Sequence, residues 1–368
     1  MIDSIKLILP AQCFKILKPE NFNPDAALVY QNLTIKAVQN IKENDTYFPR
    51  LTLSRRMNLQ GVSEIMLTIE FSIPKLLFGN NVEELQLKDF DQILQTLHEK
   101  LLSMNVLVEP TNLAQAAVTT VHFAKNIVLT DGSTPFHYIQ KIKKLCAPTR
   151  LDHHQTNYRN SGHCFKWHAN NHEIVFYDKI YDLQQSQISK KRSIDHSNMI
   201  NIATFNKLRT GRKKFEILRI EVRLNKRSKI KQIFSKLNIK NNLTFQKIFK
   251  PLISKKVLLY YVNLIEQKRS KIFDFKASND QALLSSLIVY NPSIKPKDIL
   301  ACIGYKKLLE TMTTDEIKKL FQKQHTRNWE RIMSIFNNFV APTTHNSFEI
   351  IRQQIERYKP IKISNKNI

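Results

Sequence analysis

The chain has 368 residues, enough for one large domain or two joined ones, and 42% are hydrophobic, which allows a buried core and excludes wholesale disorder. Lys and Arg number 57 against 31 Asp and Glu, a formal net charge of +26 at pH 7. Only six glycines are present, with neither a Walker A loop nor a Rossmann GxGxxG, which argues against nucleotide-loop enzymes of those kinds.

In chain order, MIDSIKLILP reads as a first strand: Asp3 and Lys6 interrupt its apolar run, and it lacks the basic start and small-residue cleavage site of a signal peptide. Ile65, Leu67, Ile69 and Phe71 alternate with Met66, Thr68 and Glu70, a period-two strand after a Gly61 turn. Pro74 breaks it, and SIPKLLFGNN leads on. From Val82 to Met104 the apolar residues fall at Phe90, Ile93, Leu94, Leu97, Leu101 and Met104, the spacing of an amphipathic helix. Residues 118–129 (VTTVHFAKNIVL) are a second strand, DGSTP a turn, and Phe136, Ile139, Ile142 and Leu145 mark a short helix. Residues 164–168 and 172–181 read as two strands of a hairpin around Ala169–Asn171. The stretch 183–214 is polar and basic, a helix or arm with a loop, and 215–224 is another strand. NKRSKIKQIFSKLNIK then carries Ile230, Ile233, Phe234 and Leu237 at helical spacing. Past residue 240 helices take over, at 257–265, 281–290, 297–311, 314–324 and 329–339, punctuated by Pro292, Pro296 and Pro342. The expected class is α+β: a mixed or antiparallel sheet with helices packed on it over 1–235, then a mostly helical region over 236–368.

Cys13, Cys146, Cys164 and Cys302 lie far apart without a CxxC, against a zinc ribbon or disulfide scaffold and in keeping with a reducing cytosol. No stretch reaches the roughly 18 uninterrupted apolar residues of a membrane span. The cationic surplus points to a polyanion. AT-rich codon usage would enrich Lys, Asn and Ile, but it would raise Glu too, and acids are scarce. From Lys190 to Lys231 fourteen Lys or Arg stand against Asp195, Glu216 and Glu221. Nucleic acid is favoured over a membrane surface or an acidic protein.

Strand parity sorts the residues that could do chemistry. In FEILRIEVRL, Leu218, Ile220, Val222 and Leu224 point to a core, and Arg219, Glu221 and Arg223 point the other way. That triplet is either a cross-strand ion-pair ladder or a metal-ligand carboxylate flanked by phosphate-gripping arginines. In HEIVFYDKIYDL, Glu173, Val175, Tyr177 and Lys179 share a face. Tyr177 is either packing or a nucleophile whose phenolate a nearby cation stabilises. In VTTVHFAKNI, Thr120, His122 and Asn126 share a face, with His122 a hydrogen-bonding group or a ligand. His153, His154, His163, His168 and His172 crowd one stretch without a zinc spacing, and no GxSxG elbow is present.

Together, VFYDKIYDL and, some forty residues on, LRIEVRL resemble the Tyr-Asp-Lys … Arg-x-Glu pattern of rolling-circle replication initiators, the filamentous-phage gene II and gene X class and its phage or plasmid relatives. The opening MID strand ending in LP, IEFSIPKLLFGNNVEE and VTTVHFAKN fall in that family's order, so the resemblance covers roughly 1–235. It implies site-specific nicking and joining of one strand at a double-stranded replication origin by a metal-dependent tyrosine endonuclease. Tyr177 would attack the scissile phosphate, leaving a 5′-phosphotyrosyl link and a free 3′-OH for a host polymerase. Lys179 would assist. Glu221, with Glu173 and His122, would hold Mg²⁺ or Mn²⁺. Lys125 stands where the family has an acid, and Lys cannot bind such an ion. Arg219, Arg223, Arg212, Lys213, Lys214, Lys226 and Arg227 would bind DNA. Expected partners are the origin duplex, the displaced single strand, and host helicase and polymerase, in the cytoplasm of a bacterial host, with no membrane. The 236–368 region would bind DNA or pack. The alternatives are a non-catalytic DNA-binding initiator or repressor, and an RNA-binding protein.

Overall fold

A computed structural model describes residues 1–41, 46–57, 61–145, 151–185, 216–267, 277–322, 326–340 and 348–362. Most of the basic 183–214 stretch, including Arg212, Lys213 and Lys214, lies outside them.

Nine of the strands make one sheet: β1 (Ile2–Pro10), β3 (Lys36–Gln39), β4 (Arg50–Met57), β5 (Ser63–Ser72), β7 (Ala117–Val128), β8 (Asp152–Arg159), β9 (Cys164–Ala169), β10 (His172–Asp178) and β11 (Ile217–Leu224). Two short strands, β2 (Lys15–Ile16) and β6 (Val106–Leu107), pair separately. The sheet order is β3-β4-β5-β1-β7-β11-β10-β9-β8, and every pairing is antiparallel. The expected α+β class is therefore present, with a purely antiparallel sheet.

One face is continuously apolar because the register stacks like on like. Leu51, Ile69 and Leu7 line up across β4, β5 and β1, and Phe123, Val222, Ile174 and Trp167 across β7, β11, β10 and β9. All seven are buried. Apolar helix faces cover this side of the sheet. The helices of the sheet region are α1 (Ala26–Gln31), α2 (Ile73–Phe78), α3 (Phe90–Ser103), α4 (Pro110–Gln115), α5 (Pro135–Lys143), α6 (Lys179–Gln185), α7 (Arg227–Lys236), α8 (Phe245–Ile248) and α9 (Pro251–Gln267). Leu97 and Leu101 of α3, Ile139 and Ile142 of α5, Phe234 of α7 and Leu258 of α9 join one core with the strands. Next come α10 (Asp280–Tyr290), α11 (Pro296–Thr311), α12 (Thr314–Gln322) and α13 (Thr326–Asn338), which close a second core around Leu287, Cys302, Tyr305, Trp329 and Phe336. The chain then returns: α14 (Glu349–Arg357) buries Ile351 and Ile355 in the first core. Secondary structure changes near residue 235, but α7–α9 and α14 pack with the sheet.

Two element boundaries depart from the periodicity. The amphipathic helix starts at Phe90, after one tight turn at Leu87–Asp89, and not at Val82. Residues 82–84 are held irregular by β7: the Asn126 side chain donates to the Val82 carbonyl at 2.7 Å, and the Asn126 backbone N–H to Glu84 Oε1 at 2.7 Å. The hairpin's second strand stops at Asp178, where the Asp178 carboxylate accepts the Tyr181 backbone N–H at 3.0 Å and starts α6. Lys179 and Tyr181 are consequently helical.

Candidate active site

The other face of the sheet is polar, and its centre is where β7, β11 and β10 run side by side. The register sets Tyr177 opposite Arg219 and Asn126, Val175 opposite Glu221 and Ala124, and Glu173 opposite Arg223 and His122. Val175 and Ala124 offer Glu221 no polar partner, so its carboxylate is satisfied by the diagonal Tyr177 and by the arginines two residues either side on its own strand. The Tyr177 hydroxyl donates to Glu221 Oε1 at 2.9 Å, and Arg219 Nε donates to the same oxygen at 3.0 Å. Arg223 donates through Nε at 2.8 Å and Nη2 at 2.7 Å to Oε2. Parity thus brings Tyr177, Arg219, Glu221 and Arg223 into one cluster, as the alternation predicts.

Arg219 is fixed from all sides. Its Nη1 donates to the Asn81 carbonyl at 2.9 Å and to Asn126 Oδ1 at 3.0 Å, and its Nη2 to Asp3 Oδ1 at 2.5 Å. Expected at the DNA, it is 3% exposed, with Glu221 and Asp3 as its carboxylate partners. Arg223 is the open member, with 32% of its side chain exposed. Its Nη1 reaches Glu173 Oε2 at 3.4 Å, while His168 Nδ1 lies 2.8 Å and Lys166 Nζ 3.6 Å from Glu173 Oε1. His122 Nε2 is 3.3 Å from Asn225 Oδ1, at the end of β11, and the next residues, Lys226 and Arg227, are exposed. The partly open edge of the site therefore runs from Arg223 past Asn225 into two of the expected DNA-binding cations.

Lys179 is fully buried, its Nζ 3.3 Å from Asp182 Oδ2 and 5.5 Å from the centroid of the Tyr177 ring. Burial lowers its ammonium to about 8, against the pull of Asp182. Lys179 thus comes near Tyr177 from the start of α6 and not from the strand face that the sequence suggests. Ile180 and Leu183 of α6 pack with Val82 and Ile217 at the Tyr177 end of the face.

The electrostatics reverse one expectation. Burial pushes the Tyr177 phenol well up, and Glu221, Asp182 and Asp3 add to this against Arg219, so the phenolate is not favoured. Burial also opposes ionisation of Glu221, but Arg223 and Arg219 outweigh it and hold its carboxyl well below the usual range. The pair is therefore a neutral phenol donating to a carboxylate. For Glu173, burial is likewise overcome by Arg223 and Lys166, and the carboxyl sits below its ordinary value. Burial, with Arg223 beside it, keeps the His122 imidazole below its usual range.

The divalent ion that the resemblance implies does not fit these donors as they stand. Both Glu221 oxygens are occupied, two guanidinium groups adjoin it, and Arg223 lies between Glu173 and His122 in the register. Among the described residues no three His, Cys, Asp or Glu side chains converge as metal ligands. Lys125, which the resemblance sets where the family has an acid, lies outside this cluster. Paired opposite Ile220, it sits on the apolar-face side of β7, its Nζ 2.5 Å from Glu84 Oε2 and 2.9 Å from the Lys359 carbonyl. It ties the central strand to Glu84 and to the returning C-terminal segment, on the face opposite Tyr177. Asp3, Lys166 and His168 complete the site, beyond the residues that strand parity picks out. Asp3 carried one signal, a lone acid in an apolar strand.

No helix among the described residues is long and apolar enough to cross a membrane. Compared with known protein families, curated proteins and solved structures, the chain matches none.

Proposed function

We propose that the protein nicks and rejoins one DNA strand at a replication origin, starting rolling-circle replication of a phage or plasmid through a 5′-phosphotyrosyl intermediate. What supports the reading most is the Tyr177 hydroxyl, held at 2.9 Å on Glu221 between two arginines on one sheet face. A tyrosine nucleophile needs a proton acceptor and cations for phosphate oxygens, and this cluster offers both. The net charge of +26 and the exposed Lys226 and Arg227 suit a DNA backbone. In this reading the covalent link conserves the phosphodiester energy, so joining requires no ATP. The origin duplex, the displaced strand, and host helicase and polymerase are the partners, in a bacterial cytoplasm.

A non-catalytic DNA-binding initiator or repressor is the second reading, favoured by the burial of Tyr177 (8% exposed) and Glu221 (2%). Supercoiled plasmid carrying the replicon's own origin, analysed on a denaturing gel, separates the two. The nicking reading expects protein joined to a 5′ end with the wild type and none with Tyr177→Phe, while DNA binding persists in both. Tight origin binding with no adduct from the wild type would leave the second reading.

A further inference from the structure

We propose that this site carries out phosphoryl transfer without a divalent ion, with Arg219 and Arg223 holding the phosphate charge and Glu221 taking the Tyr177 proton. The inference rests on the nicking reading. A metal would have to share a carboxylate whose Oε1 already accepts from Tyr177 and Arg219 and whose Oε2 accepts twice from Arg223. Like charge opposes that sharing, because the two guanidinium groups already occupy the cation's position. Those groups can also do the cation's work, which is to offset charge that develops on the non-bridging oxygens.

The step balances on the groups present. Arg223 turning to the phosphate takes its two hydrogen bonds from Glu221 and restores that carboxylate's basicity; the Tyr177 Oη proton then moves to Glu221 Oε1, an Oη–P bond forms, and the P–O3′ bond breaks. The bonding pair leaves on O3′, which takes a proton from water, and joining is the reverse. As Glu221 becomes neutral, its claim on the two arginines lapses while negative charge builds on the phosphoryl group, so the same cations follow the charge. Arg219, tied to Asn81, Asn126 and Asp3, keeps its place throughout. Arg223 has a partly exposed side chain and only a 3.4 Å contact at Nη1, so it is the one that can turn to the incoming phosphate.

The test uses full-length protein passed through EDTA and gel filtration, and single-stranded oligonucleotides, labelled at the 3′ end, that tile the DNA carrying its gene. Each is incubated in EDTA, in Mg²⁺ and in Mn²⁺, and label retained on the denatured protein is measured. Equal adduct in all three arms is expected. Adduct in Mg²⁺ or Mn²⁺ but not in EDTA would overturn the ion-free inference and leave the nicking reading standing. No adduct in any arm would remove the nicking reading and this inference with it. Arg223→Met, checked for wild-type circular dichroism, should lower the adduct rate about 10²–10³-fold. Recovery of that variant to the wild-type rate by Mn²⁺ would count against the inference. A second readout needs no DNA: a Mn²⁺ ion seen by electron paramagnetic resonance on the wild type and lost in Glu221→Gln would also overturn it.

Discussion

On the polar face of the sheet, Asp3, Glu173, Arg219 and Glu221 are buried against one another, with Arg223 at the opening. The α10–α13 bundle differs: among its described residues Asn291 and Thr314 are the buried polar side chains, while Val289 (72%), Leu300 (62%) and Leu320 (54%) lie in solvent. The sheet region depends on matched partners at fixed register, and losing one leaves another charged and dry. The bundle depends on apolar contact, which degrades gradually. One region should therefore be brittle and the other tolerant.

The sharpest way to break this contrast is Lys125→Met, which leaves the Glu84 carboxylate buried without its ammonium partner. The expected loss is about 3–5 kcal/mol in urea unfolding, with hydrogen-exchange protection falling in β7 and β11 but not in α10–α13. Adding Glu84→Gln, which removes the charge and keeps an oxygen for the Asn126 N–H, should recover part of that loss, and a double variant as unstable as the single would show that the unpaired charge is not the cause. In the bundle, fully buried Leu287→Ala should cost about 2–5 kcal/mol and expose the amides of α10 and α11 first, while β7 and β11 keep their protection.

A smaller effect comes from pH. Burial, reinforced by Lys229 and His168, pushes the His172 imidazole down to about 4, whereas in the unfolded chain it takes up a proton near 6.5. The unfolded state therefore binds the proton first. Stability should hold above pH 6.5 and decline toward pH 4, by about 1–3 kcal/mol from this group. His172→Gln should flatten that slope in thermal melts across this pH range, and an unchanged slope would assign it to other groups. The smallest change sharpens the comparison from the opposite side. Val289→Ser, at the most exposed apolar side chain of the bundle, should move stability by less than about 0.5 kcal/mol in chemical denaturation.

Much of the site was legible locally. The alternation in FEILRIEVRL places Arg219, Glu221 and Arg223 on one face before any partner is known, and the same rule places Tyr177 and Glu173. Asp178 shows where local reading fails: the KIY that follows continues an alternating pattern, but the Asp178 carboxylate captures the Tyr181 amide and turns the chain into α6. That removes Lys179 from the strand face. Asp3 and Asn81 lie far in the chain from Arg219, which they bind, and only strand order for the one and the packing of the 79–83 loop for the other bring them within reach.

The sequence alone determined the α+β class, six of the nine sheet strands, the turn to helices past residue 240, the excess of positive charge, and which side chains of β10 and β11 share a face, because strand and helix periods are properties of consecutive residues; β3, β4, β8 and α14 fall outside that reading. The tertiary structure decided who meets whom. It set Lys125 against Glu84 and not beside Tyr177, returned α14 to the sheet after the helical excursion, and saturated Glu221 with two guanidinium groups. Partners across a sheet are fixed by register and burial between distant segments, and those free energies belong to the folded whole.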